Sequence, residues 1–252
     1  MSGHSKWSQI KRQKGANDAK RGALFTKLTR EIITAARQGG GDVDANYRLR
    51  MAVDKAKANS MPADNIKRAI ERATGAGADG EQYEEVTYEG FGPANVAVIV
   101  AAMTDNRNRT ASEVRSVFGK AGGSLAPVAW QFEPKGIITL PLNGLDPDEV
   151  TLAAIDAGAA DVSPPDAGAI VVTTEPTDLE SVRRRLADAG FEADSAELSM
   201  EPTTRVDIAD EKTARQVLQF MDRLEDLDDV QNVYANFDIP AELIEQLEAQ
   251  VA

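Results

Sequence analysis

Lys6, Lys11, Arg12, Lys14, Lys20 and Arg21 stand in the stretch GHSKWSQIKRQKGANDAKRG (Gly3–Gly22), against a single acid, Asp18, and Trp7 is set among them. Cations at this density neutralise phosphates and release the counterions condensed on a polyanion. An indole can stack on an exposed base, worth ~1–3 kcal/mol in single-strand binders. Trp7 could equally pack on the helices that follow and anchor the arm; both uses are open at this point. A second pair, Arg107 and Arg109, lies in TDNRNRT (Thr104–Thr110). Thr110 and Glu113 fit a capping box, S/T-x-x-E, so a helix is expected to begin at Thr110. Two cations just before a helix N-terminus oppose the positive end of its dipole. A phosphate or an acidic partner docking there would make use of them. The alternative is pairing with Asp105 and neighbouring acids.

Other chemistries find little support. There is no cysteine, which removes disulfides, thiolate metal sites and cysteine nucleophiles together. His4 is the sole histidine, so neither a Ser/His/Asp grouping nor a multi-ligand metal site is recognisable. Gly90-Phe91-Gly92-Pro93 lacks the third glycine and the strand-to-helix setting of a dinucleotide site. Gly39–Gly41 lacks the Lys-Ser/Thr of a P-loop. Glu84/Glu85 and Asp228/Asp229 are adjacent, and in extended chain they point to opposite faces. The expectation is a protein that is not an enzyme and needs neither cofactor nor metal.

Charge is divided unevenly along the 252 residues. Residues 1–78 hold eight lysines and eight arginines against seven acids, a net +9, which leaves −22 for the rest of a chain whose total is −13. Such asymmetry suggests a basic part that meets a polyanion and an acidic remainder. The arm carries no apolar stretch of the secretory kind and reads as part of the mature protein, in the cytoplasm. No apolar run approaches the roughly 20 residues of a membrane span.

Three helices are expected to carry the basic part. In the first, Leu24, Phe25, Leu28, Ile32, Ala35 and Ala36 recur at helical period. Lys20, Lys27, Arg30 and Arg37 share the opposite side, and Gly39-Gly40-Gly41 stops the helix. The second starts near Asp44, with Leu49, Ala52, Val53 and Ala56 inward. The third opens at Met61-Pro62, buries Ile66, Ala69, Ile70 and Ala73, and ends at Gly75. Residues 76–81 form a Gly/Ala/Asp linker. Beyond it come a strand over 85–90, a buried strand over 95–103, a helix over 110–121 and an extended stretch over 128–132. A run of β-α-β-β-α-β over 136–200 has the ferredoxin-like order. A helix near 210–227 and a strand over 230–237 could complete the earlier set, and 240–251 reads as a terminal helix.

The fold class is therefore α+β: an N-terminal three-helix bundle followed by two α/β domains, one ferredoxin-like and inserted into the other. The expected boundaries are 1–78, 79–134 with 203–252, and 135–202. Lys6, Trp7, Lys11, Arg12, Lys14, Lys20, Arg21, Lys27, Arg30, Arg107 and Arg109 are the candidate nucleic-acid-binding residues.

Taken together and in order, GHSKW (Gly3–Trp7), Asn59–Ile66, EGFGP (Glu89–Pro93), TDNRNRT (Thr104–Thr110), KAGG (Lys120–Gly123) and DDVQNVYAN (Asp228–Asn236) resemble the YebC family. Ser60 is a departure, standing where the family motif runs from Asn directly to Met-Pro. The resemblance implies three domains, no enzymatic activity, and a probable DNA-binding transcriptional regulator. It also implies kinship with a mitochondrial translational activator of a cytochrome oxidase subunit and with bacterial factors acting on ribosomes stalled at proline-rich sequences. The expected partner is DNA, ribosomal RNA or the ribosome, with no membrane and a monomeric chain. The competing function is a protein-docking scaffold whose basic arm only steers association.

Overall fold

The structure, a computed structural model, describes residues 18–75, 82–166 and 168–249. The chain is α+β. Three helices open it: α1 (Asp18–Gly39), α2 (Tyr47–Ala58) and α3 (Ala63–Thr74). Their core is Leu28, Ile32, Ile33, Ala35 and Ala36 of α1 with Leu49, Ala52, Val53 and Ala56 of α2 and Ile66, Ala69 and Ala73 of α3. Apolar residues three and four apart fall on one face of each helix, so small alanines let the helices approach closely. Leu24, expected inside, is exposed and Phe25 only half buried, because the first turns of α1 extend past the packed part of the bundle.

Asn46 sets the α1–α2 corner. It caps α2 by accepting from Leu49 N, and its amide donates to Ala35 O and Gly40 O at 2.8 Å each. The α2–α3 corner is a Schellman turn: Met61 N bonds Ala56 O at 2.9 Å, and Ser60 N bonds Lys57 O at 2.8 Å. Ser60 therefore holds the left-handed conformation usual for glycine, with φ +58°. This turn drops Met61 into the bundle core and lets Pro62 start α3.

A four-stranded sheet follows, in the order β3 (Ser124–Leu125), β1 (Glu84–Phe91), β2 (Ala97–Thr104), β9 (Val230–Ala235). All three pairings are antiparallel; Tyr88 faces Val100, and Val100 in turn faces Val233. The late strand thus closes the early set. Helices α4 (Arg107–Lys120) and α7 (Glu211–Glu225) cover the sheet, with Val114, Phe118, Val217, Phe220 and Met221 buried against Val98, Val100 and Val233. Phe118 and Phe220 meet edge to face, centroids 5.0 Å apart. The EGFGP glycines are what this packing needs: a Cβ on Gly90 would lie 2.6 Å from the Phe118 ring, and one on Gly92 2.4 Å from Phe220. The stretch expected to be extended over 128–132 is instead a 3₁₀ turn at Ala129–Gln131, because the Glu89 carboxylate accepts from both Val128 N and Ala129 N. A short parallel pair, β8 (Val206–Asp207) with β10 (Phe237–Asp238), and helix α8 (Ala241–Ala249) finish the layer.

Glu133–Glu201 is a compact unit of its own; the rest of the described chain makes the other. In the first, β4 (Phe132–Pro141), α5 (Pro147–Ala157), β5 (Asp161–Val162), β6 (Ala169–Thr174), α6 (Leu179–Asp188) and β7 (Ser195–Pro202) form a sheet of order β5-β6-β4-β7. That is the ferredoxin-like arrangement, with β4–β6 and β5–β6 antiparallel.

Candidate nucleic-acid interface

Lys6, Trp7, Lys11, Arg12 and Lys14 lie outside the described residues, and the side chain of Lys20 does too. Arg21 is exposed on the first turn of α1, its guanidinium 5.9 Å from the centre of the Phe25 ring. One turn further on, the picture departs from the expected open basic face. Lys27 Nζ donates to Glu225 O, and Arg30 donates to Asp228 O. Arg30 Nη1 also sits 3.1 Å from Asp229 Oδ1, with only 14% of its side chain exposed, and its guanidinium lies 5.4 Å from the Tyr83 ring centre. This side of α1 is docked on the turn between α7 and β9. The attraction is local: Glu225 ends α7, so its carbonyl has no partner within the helix, and Asp229 adds a full negative charge.

Asp229 is the centre of a cluster that the linear sequence does not announce. It is 1% exposed. Its Oδ2 accepts from Thr110 Oγ1 at 2.7 Å, Arg109 Nη2 at 2.7 Å and Thr104 Oγ1 at 3.0 Å. Burial pushes the carboxyl up, but the bonds from Thr110, Arg109 and Thr104 and the Arg109 charge outweigh it and hold it below the ordinary value. Arg109 is held more firmly charged in return, first by its bond to Asp229 and then by that to Asp105 at 2.7 Å. A carboxylate with three donors on Oδ2 and the charges of Arg109 and Arg30 beside it is a poor general base; it is suited to holding α1, β2, α4 and the turn before β9 together.

The cluster also corrects the expected helix start. α4 begins at Arg107, with Asn106 as its cap, its side chain accepting from Arg109 N at 3.1 Å. Thr110 does not cap, because its hydroxyl is turned inward to Asp229 and to Thr104. Arg107 and Arg109 therefore occupy the first turn of the helix rather than the loop before it. Their fates differ. Arg109 is spent on Asp229 and Asp105, whereas Arg107 is 68% exposed and meets Glu84 only at 3.7 Å. Among the described residues, no group of three or more His, Cys, Asp or Glu could hold a metal, and no helix is long and apolar enough to cross a membrane.

Besides Arg21, the cations that reach solvent on the described part of the bundle include Arg48 and Lys57 of α2 and Lys67, Arg68 and Arg72 of α3. Sequence reading placed weight on α1 and passed over these. Arg68 and Arg72 follow Asn65 at i+3 and i+7, a spacing that lines up one stripe of α3. That spacing was the available signal.

Residues 5–76 match the model of the TACO1/YebC protein N-terminal domain, and residues 83–237 match that of the TACO1/YebC second and third domain. A "Probable transcriptional regulatory protein" of Rubrobacter xylanophilus is 54% identical over 250 residues, covering 98% of this chain and 99% of the relative. A protein of the same description, FN1661 from Fusobacterium nucleatum, is 51% identical over 251 residues, covering 98% and 100%. Among solved structures, the conserved hypothetical protein Aq1575 from Aquifex aeolicus superposes with a TM-score of 0.81 at 47% identity, covering 88% of this chain and 92% of that one.

Proposed function

The chain belongs to the TACO1/YebC family, and on that premise we propose that it is a non-enzymatic regulator of gene expression that binds nucleic acid through its first 78 residues. The observation that carries this reading is the charge division, +9 over residues 1–78 against −22 beyond them. Counterion release makes such a region bind phosphate backbones whatever their sequence. The names of the relatives, probable transcriptional regulatory proteins, support a regulatory role. In this reading the arm residues Lys6, Lys11, Arg12 and Lys14, with Lys20 and Arg21, make the first contacts, and Arg107 adds an outlying one. Lys27, Arg30 and Arg109 hold the bundle to the sheet domain and act by keeping it oriented. The protein works as a cytoplasmic monomer of three domains, divided near residues 78, 134 and 202.

Duplex DNA and structured RNA, or the ribosome that contains it, are the two targets this chemistry serves, since phosphate contacts carry no base information. Salt titrations of the full chain against duplex DNA, structured RNA and ribosomes test the reading. Replacing Lys11, Arg12 and Lys14 together by alanine is expected to lower affinity and to reduce the salt slope by roughly 2 to 3, a little under one per lost contact. Unchanged affinity and slope would remove the arm from the interface.

A second reading has its own observation. Leu152 and Ile155, three apart on α5, are 61% and 57% exposed among Asp148, Glu149 and Asp156. An apolar pair rimmed by acids suits a basic protein segment, so the Glu133–Glu201 unit could dock a protein while the bundle holds nucleic acid.

A further inference from the structure

One motif singled out by the sequence, Asn59–Ile66, takes no part in the interface described so far. In the structure its Met61 and Asn65 line an open groove of about 400 Å³, within the range of about 300–1,000 Å³ for ligand clefts. Phe25 and Arg30 of α1, Arg72 of α3 and Tyr83 line it as well. Resting on the nucleic-acid reading above, we infer that this groove receives one unstacked base of a single-stranded nucleic acid, with the flanking phosphates on Arg21 of α1 and Arg68 and Arg72 of α3.

Three features argue for that occupant. Phe25 and Tyr83 are half buried against the bundle core, so each is fixed in place while part of its ring lines the groove. A guanidinium already lies over each ring, Arg21 over Phe25 and Arg30 over Tyr83, so the base is received at the part of each ring that lines the groove. Rigid aromatic rings and guanidinium planes are the surfaces on which splayed bases stack. Asn65 supplies edge recognition. Its Oδ1 accepts from Arg68 Nη2 at 2.6 Å, which fixes the amide orientation and presents Nδ2 as the donor. The charge then matches a polyanion on both sides, with Arg68 and Arg72 continuing the Asn65 stripe of α3 and Arg21 standing on α1. Shape argues against a duplex. Reading a duplex needs an element that protrudes into a groove of the nucleic acid, whereas this surface is concave and takes in a single base.

The test uses the full chain and fluorescein-labelled 12-mers of uridine, of thymidine, and of a mixed-sequence duplex, titrated over the same series of salt concentrations. Single strands are expected to bind more tightly than the duplex. Phe25→Leu and Tyr83→Leu are each expected to weaken single-strand binding by about tenfold, the stacking scale, with the salt slope unchanged. Asn65→Ala is expected to weaken it several-fold; this half-buried position keeps the test valid if a leucine variant unfolds by circular dichroism. A 2-aminopurine placed mid-strand is expected to be quenched by the full chain and not by Tyr83→Leu. Equal affinity for the RNA and DNA strands assigns the site to base chemistry alone, and an RNA preference adds the 2′-hydroxyl. Full-strength binding by all three variants, or a preference for the duplex, overturns the groove while leaving nucleic-acid binding intact. Absence of binding by the full chain to any of the three probes overturns the parent reading instead.

Discussion

Replacing Asp229 by asparagine should loosen the cluster that joins β2, α4 and the turn before β9, and with it the hold of α1 on that turn. The carboxylate accepts from two buried hydroxyls, Thr104 and Thr110, and bonds to a charged acceptor contribute roughly 1.5–3 kcal/mol each. Asparagine keeps one acceptor oxygen, and a hydroxyl can rotate to accept from the new amide, so about half of that is retained. The Arg30 pair is mostly buried and loses its counter-charge. Arg109 is 42% exposed and counts only as a surface pair, about 0.2–1 kcal/mol. Without the Arg30 pair the sum is about 2–4 kcal/mol, on the order of a hundredfold in the opening equilibrium, and loss of the Arg30 counter-charge adds to it. Native-state amide exchange reads it directly. Met103 N donates to the backbone oxygen of residue 229, a bond that the substitution leaves alone, so its exchange reports opening of the cluster. The expected result is exchange at Met103 about a hundredfold faster, with the amides of the Glu133–Glu201 unit unchanged. The pH profile adds a second check. Because the folded carboxyl lies below its unfolded value of about 3.9, its stabilisation is fully present above that value and is lost as pH falls through the folded one. The wild type should show this acid limb and Asp229→Asn should lack it. A change at Met103 below threefold, with the acid limb retained, would refute the account of the cluster.

Ser60→Gly should stabilise the bundle by about 1 kcal/mol, since a non-glycine residue at positive φ costs roughly 1–2 kcal/mol; exchange at the Ala52 and Val53 amides measures it. Gly123→Ala should destabilise strongly, because the new Cβ would lie 2.3 Å from the backbone oxygen of Phe91, and chemical denaturation would show the loss. Arg107→Ala should leave stability within about 0.5 kcal/mol while Arg109→Ala costs more, a contrast that urea titration of the two variants resolves. Glu89→Gln weakens two bonds to backbone N–H groups and should cost about 1–2 kcal/mol, read as faster exchange at Val128 and Ala129.

Helical period carried the bundle core from sequence to structure, because Leu28, Ile32, Leu49 and Ile66 obey a local rule that any packed helix must obey. The β-α-β-β-α-β run did likewise, each element being short, periodic and bounded by Gly or Pro. Asp229 was not legible. Its partners, Thr104, Arg109, Thr110 and Arg30, lie more than a hundred residues away; the pairing of β2 with β9 brings in the first three, and the docking of α1 brings in Arg30. The same distance hid the fate of Lys27 and Arg30: the period places them opposite the bundle core correctly, but cannot tell that the opposite side faces α7 and not solvent. The Thr110 cap failed for a related reason. The pattern S/T-x-x-E is a local preference, and a buried carboxylate competing for the threonine hydroxyl overrode it, leaving Asn106 to cap.

The most direct test of the central claim is ultraviolet crosslinking of the full chain in cells, followed by mass-spectrometric mapping of the peptides that carry nucleotide. The account predicts adducts concentrated within residues 1–83, including the peptides holding Phe25 and Tyr83. Adducts confined to Glu133–Glu201, or nucleotide on no peptide at all, would contradict it.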